Sequence, residues 1–218
     1  MLRSLAAATA AALVAAGCGS SNDNTPAAST PPTLTGTVFG QSFTPVDASA
    51  LVLSQASCSF EGTTASATGL VVGFGSFPGL CDFVTQNKTC GTKANATLVN
   101  LLLVRANVIG GTASAVQPGT YTISATTPTP DTQGNVTIAQ AVLTKTDAAC
   151  ASPSSTPTAT GGTIKIDTVG ARVTGSADVT FSDGGRVSGT FDVPACGFQT
   201  DVCTALSGGD CTTETCVP

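Results

Sequence analysis

The sequence predicts an all-β protein, an antiparallel β-sandwich of about nine or ten strands stapled by disulfides. Three observations predict it. β-favouring runs recur at regular spacing with Gly, Pro and Asn/Asp turn signals between them, only one short stretch has helical spacing, and cysteines abound in a chain with little charge. A closed β-barrel is the alternative architecture for the same strand pattern.

Leu34 to Phe39 and Phe43 to Val46 flank Gly40-Gln41-Ser42 and read as an opening hairpin. Ala50 to Cys58 and Thr68 to Phe74 follow as strands. Gly75-Ser76-Phe77-Pro78-Gly79 breaks the pattern, and Leu80 to Asn87 then sets Leu80, Phe83 and Val84 at helical spacing. Ala96 to Ile109 is apolar at odd and even positions over Leu98 to Val104, so this strand requires burial on both faces and a central place between packed layers. Pro118-Gly119 turns into Thr120 to Ala125, an alternating, half-buried strand; Thr126 to Asn135 is a loop and Val136 to Thr146 a strand. Ala151 to Gly162 is rich in Ser, Thr and Pro and reads as a loop, with Ile164 and Ile166 marking the strand after it.

The strongest pattern is Arg172 to Val193. Val173, Gly175, Ala177, Val179 and Phe181 alternate with polar partners, and Val187, Gly189, Phe191 and Val193 do the same beyond Asp183-Gly184-Gly185. Placing both apolar sets on one face pairs Ser182 with Arg186 around a three-residue loop with Gly185 in the left-handed conformation. That register sets Val179 opposite Gly189, Ala177 opposite Phe191 and Gly175 opposite Val193.

The N-terminal residues are of another kind. Arg3 supplies a positive start, Leu5 to Ala16 form an apolar, Ala-rich run, and small residues lead into Cys18. The run is too short to span a bilayer, which takes about 20 residues. Leu13-Val14-Ala15-Ala16-Gly17-Cys18 resembles the lipobox of bacterial lipoproteins, with Ala15 where that family usually carries Leu. The resemblance implies removal of residues 1–17 and acylation of Cys18 as the new N-terminus. Residues 18–33 then form a polar, Pro-containing tether, expected to be disordered, and residues 34–218 a single β domain with a Cys-rich tail from 196 to 218. Gly19 stands where an inner-membrane retention signal carries Asp, so the resemblance implies the outer membrane of a bacterial cell envelope.

Loss of Arg3 leaves seven basic side chains against thirteen acidic ones. The chain has no basic stripe for nucleic acid, and its acidity directs membrane contact to the lipid anchor. The chain contains no His, which removes Ser-His and Cys-His nucleophile activation together with His-based metal sites. Glu61, Asp82, Asp131, Asp167, Asp178 and Asp192 are the carboxylates open to acid/base pairing, but Asp178 and Asp192 fall on the solvent face of the predicted hairpin. Gly73 to Gly79 lacks the Gly-Lys-Ser/Thr ending of a phosphate loop and has Phe74, not Gly, two residues before Ser76, so it reads as a strand-ending turn. With no Trp and one Tyr, a stacking platform for sugars is disfavoured.

Eight cysteines remain beyond Cys18, and in an exported chain an even number implies disulfides; no Cys-x-x-Cys pair suggests a metal. Proximity in sequence pairs Cys81 with Cys90, Cys203 with Cys211 and Cys196 with Cys216, pinning the tail onto itself, and leaves Cys58 with Cys150. The expected protein is thus a non-enzymatic, membrane-anchored lipoprotein without cofactor, a structural or protein-interaction module of the cell envelope. Its best interaction surface is the stapled end, Cys196 to Cys216. The alternative is a carrier of a small apolar ligand inside a barrel lined by residues such as Leu102, Val179 and Phe181.

Overall fold

A computed structural model describes residues 33–60, 63–87, 91–124, 128–197, 200–203 and 215–218. The signal residues, Cys18 and nearly all of the tether lie outside the described residues, as do Glu61, Cys90 and Cys211. The elements are β1 (Thr35–Val38), β2 (Gln41–Phe43), β3 (Asp47–Phe60), β4 (Thr63–Gly75), α1 (Leu80–Asn87), β5 (Gly91–Lys93), β6 (Thr97–Asn107), β7 (Gly119–Ile123), β8 (Asn135–Lys145), β9 (Ala159–Thr168), β10 (Arg172–Phe181), β11 (Arg186–Pro194) and β12 (Thr215–Val217). Six strands form one sheet in the order β2-β1-β11-β10-β9-β7, and four form the other in the order β3-β4-β6-β8; β5 and β12 make a small parallel pair. All pairings within the two large sheets are antiparallel.

The two sheets face each other as a sandwich and do not close into a barrel. Most of the space between them is filled. Leu70, Val72 and Phe74 of β4 and Val99, Leu101 and Leu103 of β6 meet Ile164, Ile166, Val173, Val179, Val187 and Phe191 of the opposite sheet in one buried cluster. The Phe74 and Phe191 rings join the sheets edge to face, 5.8 Å apart, as ring quadrupoles prefer. Val179 and Phe181 belong to this packed core, and Leu102 points to the other side of its sheet. The closed barrel interior expected for a ligand is therefore absent: Val179 and Phe181 are spent on sheet-to-sheet packing and Leu102 faces away from them.

The β10–β11 hairpin forms as its alternation requires, with a corrected register. Thr180, not Ser182, pairs with Arg186, so Val179 faces Val187, Ala177 faces Gly189, Gly175 faces Phe191 and Val173 faces Val193. The loop is Ser182-Asp183-Gly184, and Gly184 rather than Gly185 is left-handed, at φ 81°. The reason is local: the Gly185 N–H donates to Asp183 Oδ1 and the Gly184 N–H to the Phe181 carbonyl, which sets the turn one residue early. A slip of two residues preserves parity, so the apolar faces are unaffected. Gly175 makes room for the Phe191 ring, since a Cβ there would lie 2.8 Å from Phe191 Cζ and 2.0 Å from the Lys165 carbonyl oxygen.

Three smaller differences have similar causes. The opening hairpin turns at Phe39-Gly40, not Gly40 to Ser42, with φ of 51° and 67° and Val38 paired to Gln41. Both central residues are left-handed, the geometry whose twist matches the flanking strands. β9 begins at Ala159, inside the expected Ala151–Gly162 loop, because Gly161 and Gly162 pair with Thr180 and Val179. Thr33 was expected in the tether, yet its N–H donates to the Thr190 carbonyl and its hydroxyl bonds the Thr190 hydroxyl at 2.7 Å. The helix occupies Leu80–Asn87 as its spacing predicts.

Two glycine substitutions should separate crowding from backbone strain. Gly175→Ala drives a methyl into the β9 backbone and should cost about 3 kcal/mol. Gly184→Ala meets nothing within 4 Å and bears only the left-handed backbone penalty, about 1 kcal/mol. Urea unfolding of the disulfide-intact protein measures both.

Candidate ligand groove beneath the stapled helix

The four-stranded sheet is apolar on both sides. Its inner face carries the core residues above; its outer face carries Leu51 and Leu53 of β3, Val71 of β4, Leu98, Leu102 and Val104 of β6, and Ile138 and Val142 of β8. This is the two-faced burial that β6 announces in its sequence. An apolar outer face needs a second cover, and here the cover is α1 together with residues 195–197 and 200–203.

Residues 195–197 and 200–203 flank edge strand β3. The Cys196 N–H donates to the Ala50 carbonyl at 2.7 Å and the Ser54 N–H to the Thr200 carbonyl at 3.0 Å, and parallel bridges join Ala50 to Ala195 and Ser54 to Asp201. Val202 is fully buried in a cluster with Leu53, Ala67 and Val104. The segment thus shields an edge that would otherwise offer its peptide groups to another chain.

Disulfides fix this cover. Cys58 bonds Cys203, Cys81 bonds Cys196 and Cys150 bonds Cys216, with Cα–Cα distances of 5.5, 5.6 and 5.6 Å. The expected pairs, Cys81 with Cys90, Cys58 with Cys150, Cys203 with Cys211 and Cys196 with Cys216, are all replaced. The tail is pinned onto the sheet, the helix and the loop after β8, not onto itself. The physical reason is that partners are chosen by what the outer face gathers, and β3, α1 and residues 196–203 meet there across sequence separations of 145 and 115.

Between α1 and the sheet lies a cavity of about 320 Å³. Leu51, Leu53, Val71, Leu98 and Leu102 line its sheet side, Leu80, Phe83 and Val84 its helix side, and Cys196 one end. Gly73 lets the helix and Asn100 approach the sheet closely, for a Cβ there would lie 3.0 Å from Asn100 Oδ1 and 3.3 Å from Leu80 Cδ2. Among the described residues, Ser49 and Asn100 are the polar side chains of the lining, and no charged residue contributes to it. Val142, 45% exposed, stands at the mouth. The helix is held by Asp47, whose Oδ2 accepts the Leu80 N–H and whose Oδ1 accepts the Ala48 N–H, each at 2.8 Å. Phe77 and Phe83 pack edge to face at 5.4 Å. A further cavity of about 420 Å³ opens where β7 and β8 approach the Thr156-Pro157-Thr158 loop, with a more polar rim.

Among the described residues, the carboxylates singled out in the sequence are not brought together; Glu61 lies outside them. Asp178 is bidentate to Arg186, Asp192 bonds Arg172 at 2.6 Å and Asp167 bonds Lys165 at 2.7 Å. Asp131 closes its loop, accepting the backbone N–H groups of Gln133 and Asn135, and Asp82 is exposed in the first turn of α1. Ser76 accepts the Thr97 N–H at 2.9 Å and so ties the end of β4 to β6, as a strand-ending turn should. Among the described residues no group of three or more His, Cys, Asp or Glu is placed to hold a metal. The groove itself was not foreseen, although the even-numbered leucines of β6 carried its signal. Against protein-family models, curated proteins and solved structures, the chain finds no match.

Two expectations follow for the cover and the exposed charges. Asp47→Ala removes the acceptor of the first helical amide and should cost about 1 kcal/mol, with amide exchange accelerating at Leu80 to Val84 before the core strands respond. The Arg186 hydrogen bond lowers the Asp178 carboxyl and the Asn135 amides lower Asp131. Folded values below unfolded ones mean stability that is complete above about pH 4 and lost as pH falls through the folded values. Both groups are exposed, so the effect is small, and Asp178→Asn should flatten the acid limb of a melting-temperature profile.

Proposed function

We propose that the protein is a non-enzymatic lipoprotein of a bacterial cell envelope, a β-sandwich interaction module held at the outer membrane by lipid on Cys18. The observation that carries this reading is the set of three long-range disulfides. Such bonds persist in oxidising compartments and are rare in the cytosol, which agrees with an export signal ahead of Cys18. Several acyl chains on one N-terminal Cys anchor durably where a single chain binds marginally. The tether between Cys18 and Thr33 then gives the domain reach from the membrane.

The non-enzymatic reading draws on the missing His and on carboxylates engaged with cations or turn amides. The stapled cover agrees with a module whose outer surface is pre-organised to meet a partner, since fixed loops lose less entropy on binding.

Cys18→Ala should abolish labelling by radioactive palmitate and release the protein from the sedimented membrane fraction. Persistent labelling of that variant, or membrane association without any label in the unaltered protein, overturns the anchor. Cross-linking in intact cells, followed by mass spectrometry, should return a recurrent envelope partner.

A further inference from the structure

We propose that the groove between α1 and the outer face of the four-stranded sheet binds a small, uncharged, largely apolar molecule carrying a hydrogen-bonding group. The inference goes beyond the envelope-module reading and is independent of the lipid anchor.

Four observations carry it. The volume, about 320 Å³, falls at the lower end of small-molecule sites, about 300–1,000 Å³. A volume of that size favours a small molecule over a docked helix, about 10 Å across. The walls are aliphatic and aromatic, and among the described residues no charged side chain lines them. An ion entering there loses its hydration without a counter-charge, which is costly. The protein's acidity disfavours anions further.

The polar groups are sparse and placed together. Asn100 can donate and accept and Ser49 can do both through its hydroxyl, so a hydroxyl or carbonyl on the ligand finds a complement at the Gly73 floor. Finally, the site is built in advance. Cys81–Cys196 fastens the helix to the cover and Asp47 fastens its first turn, so closure is not left to the ligand.

The test uses residues 19–218 exported behind a non-lipoprotein signal, free of detergent, with the three disulfides verified before use. N-phenyl-1-naphthylamine, a neutral fluorophore, is titrated into this protein and into Val142→Asp, Leu102→Trp and Ile109→Asp. Val142 is exposed at the mouth, so its variant preserves folding even if the bulkier Leu102→Trp does not. Ile109, 68% exposed, lies beyond the far end of β6 and serves as control. One saturable site is expected, weakened about tenfold or more in the two groove variants and unchanged in Ile109→Asp. 1-Decanol should displace the probe at least about tenfold better than decanoate. Absence of saturable binding, or undiminished binding in Val142→Asp, overturns the site. Equal displacement by decanoate overturns its selectivity for uncharged ligands.

Discussion

A four-stranded sheet with apolar residues on both faces cannot be left with one face in water, and the rest of the architecture follows from that constraint. The inner face is satisfied by the larger sheet, through Phe74 against Phe191 and the aliphatic layers around them. The outer face has no second sheet. It is covered instead by eight helical residues and a short run of extended chain, neither of which buries enough surface to hold its place alone. Short helices are marginal without tertiary support, and an extended segment joined by a few main-chain bonds is more so. Covalent bonds supply what packing lacks, each closing a long loop worth about 4–5 kcal/mol in the chain-entropy account.

A cover made of a helix laid across a sheet does not seal like a sheet laid on a sheet. Interdigitating strands leave few voids, and the inter-sheet core is packed through its middle, opening at the β7–β8 side where Ile123, Ala141 and Leu143 border a cavity. A single helix touches a twisted sheet along a line and leaves space beside it, and here Leu80 comes close to the sheet at Gly73. The groove is thus a consequence of how the outer face is covered, and its apolar lining is the part of that face the cover does not reach.

Legibility in the sequence followed the range of the physics. Alternation in β10 and β11 revealed both strands and their inward faces, because period-two patterning is local. The register was offset by two, since the deciding contact is Asp183 Oδ1 with the Gly185 N–H, and parity alone cannot distinguish the two turns. β6 announced burial on both sides through Leu98 to Val104, but not what would cover it. The cysteine pairs were the least legible part. Proximity in sequence favours local loops, whereas Cys58 and Cys81 meet partners that only the assembled outer face brings near.

The central claim, that the C-terminal segment is fastened across the outer face of the small sheet, is tested most directly by mapping the disulfides. The protein is digested without reduction, with free thiols alkylated, and the cross-linked peptides are sequenced by mass spectrometry. Peptides joining Cys58 to Cys203, Cys81 to Cys196 and Cys150 to Cys216 are the predicted result. Linkage of Cys81 to Cys90 and of Cys203 to Cys211 would contradict it, since the tail would then be closed on itself and nothing would hold the helix and its groove in place.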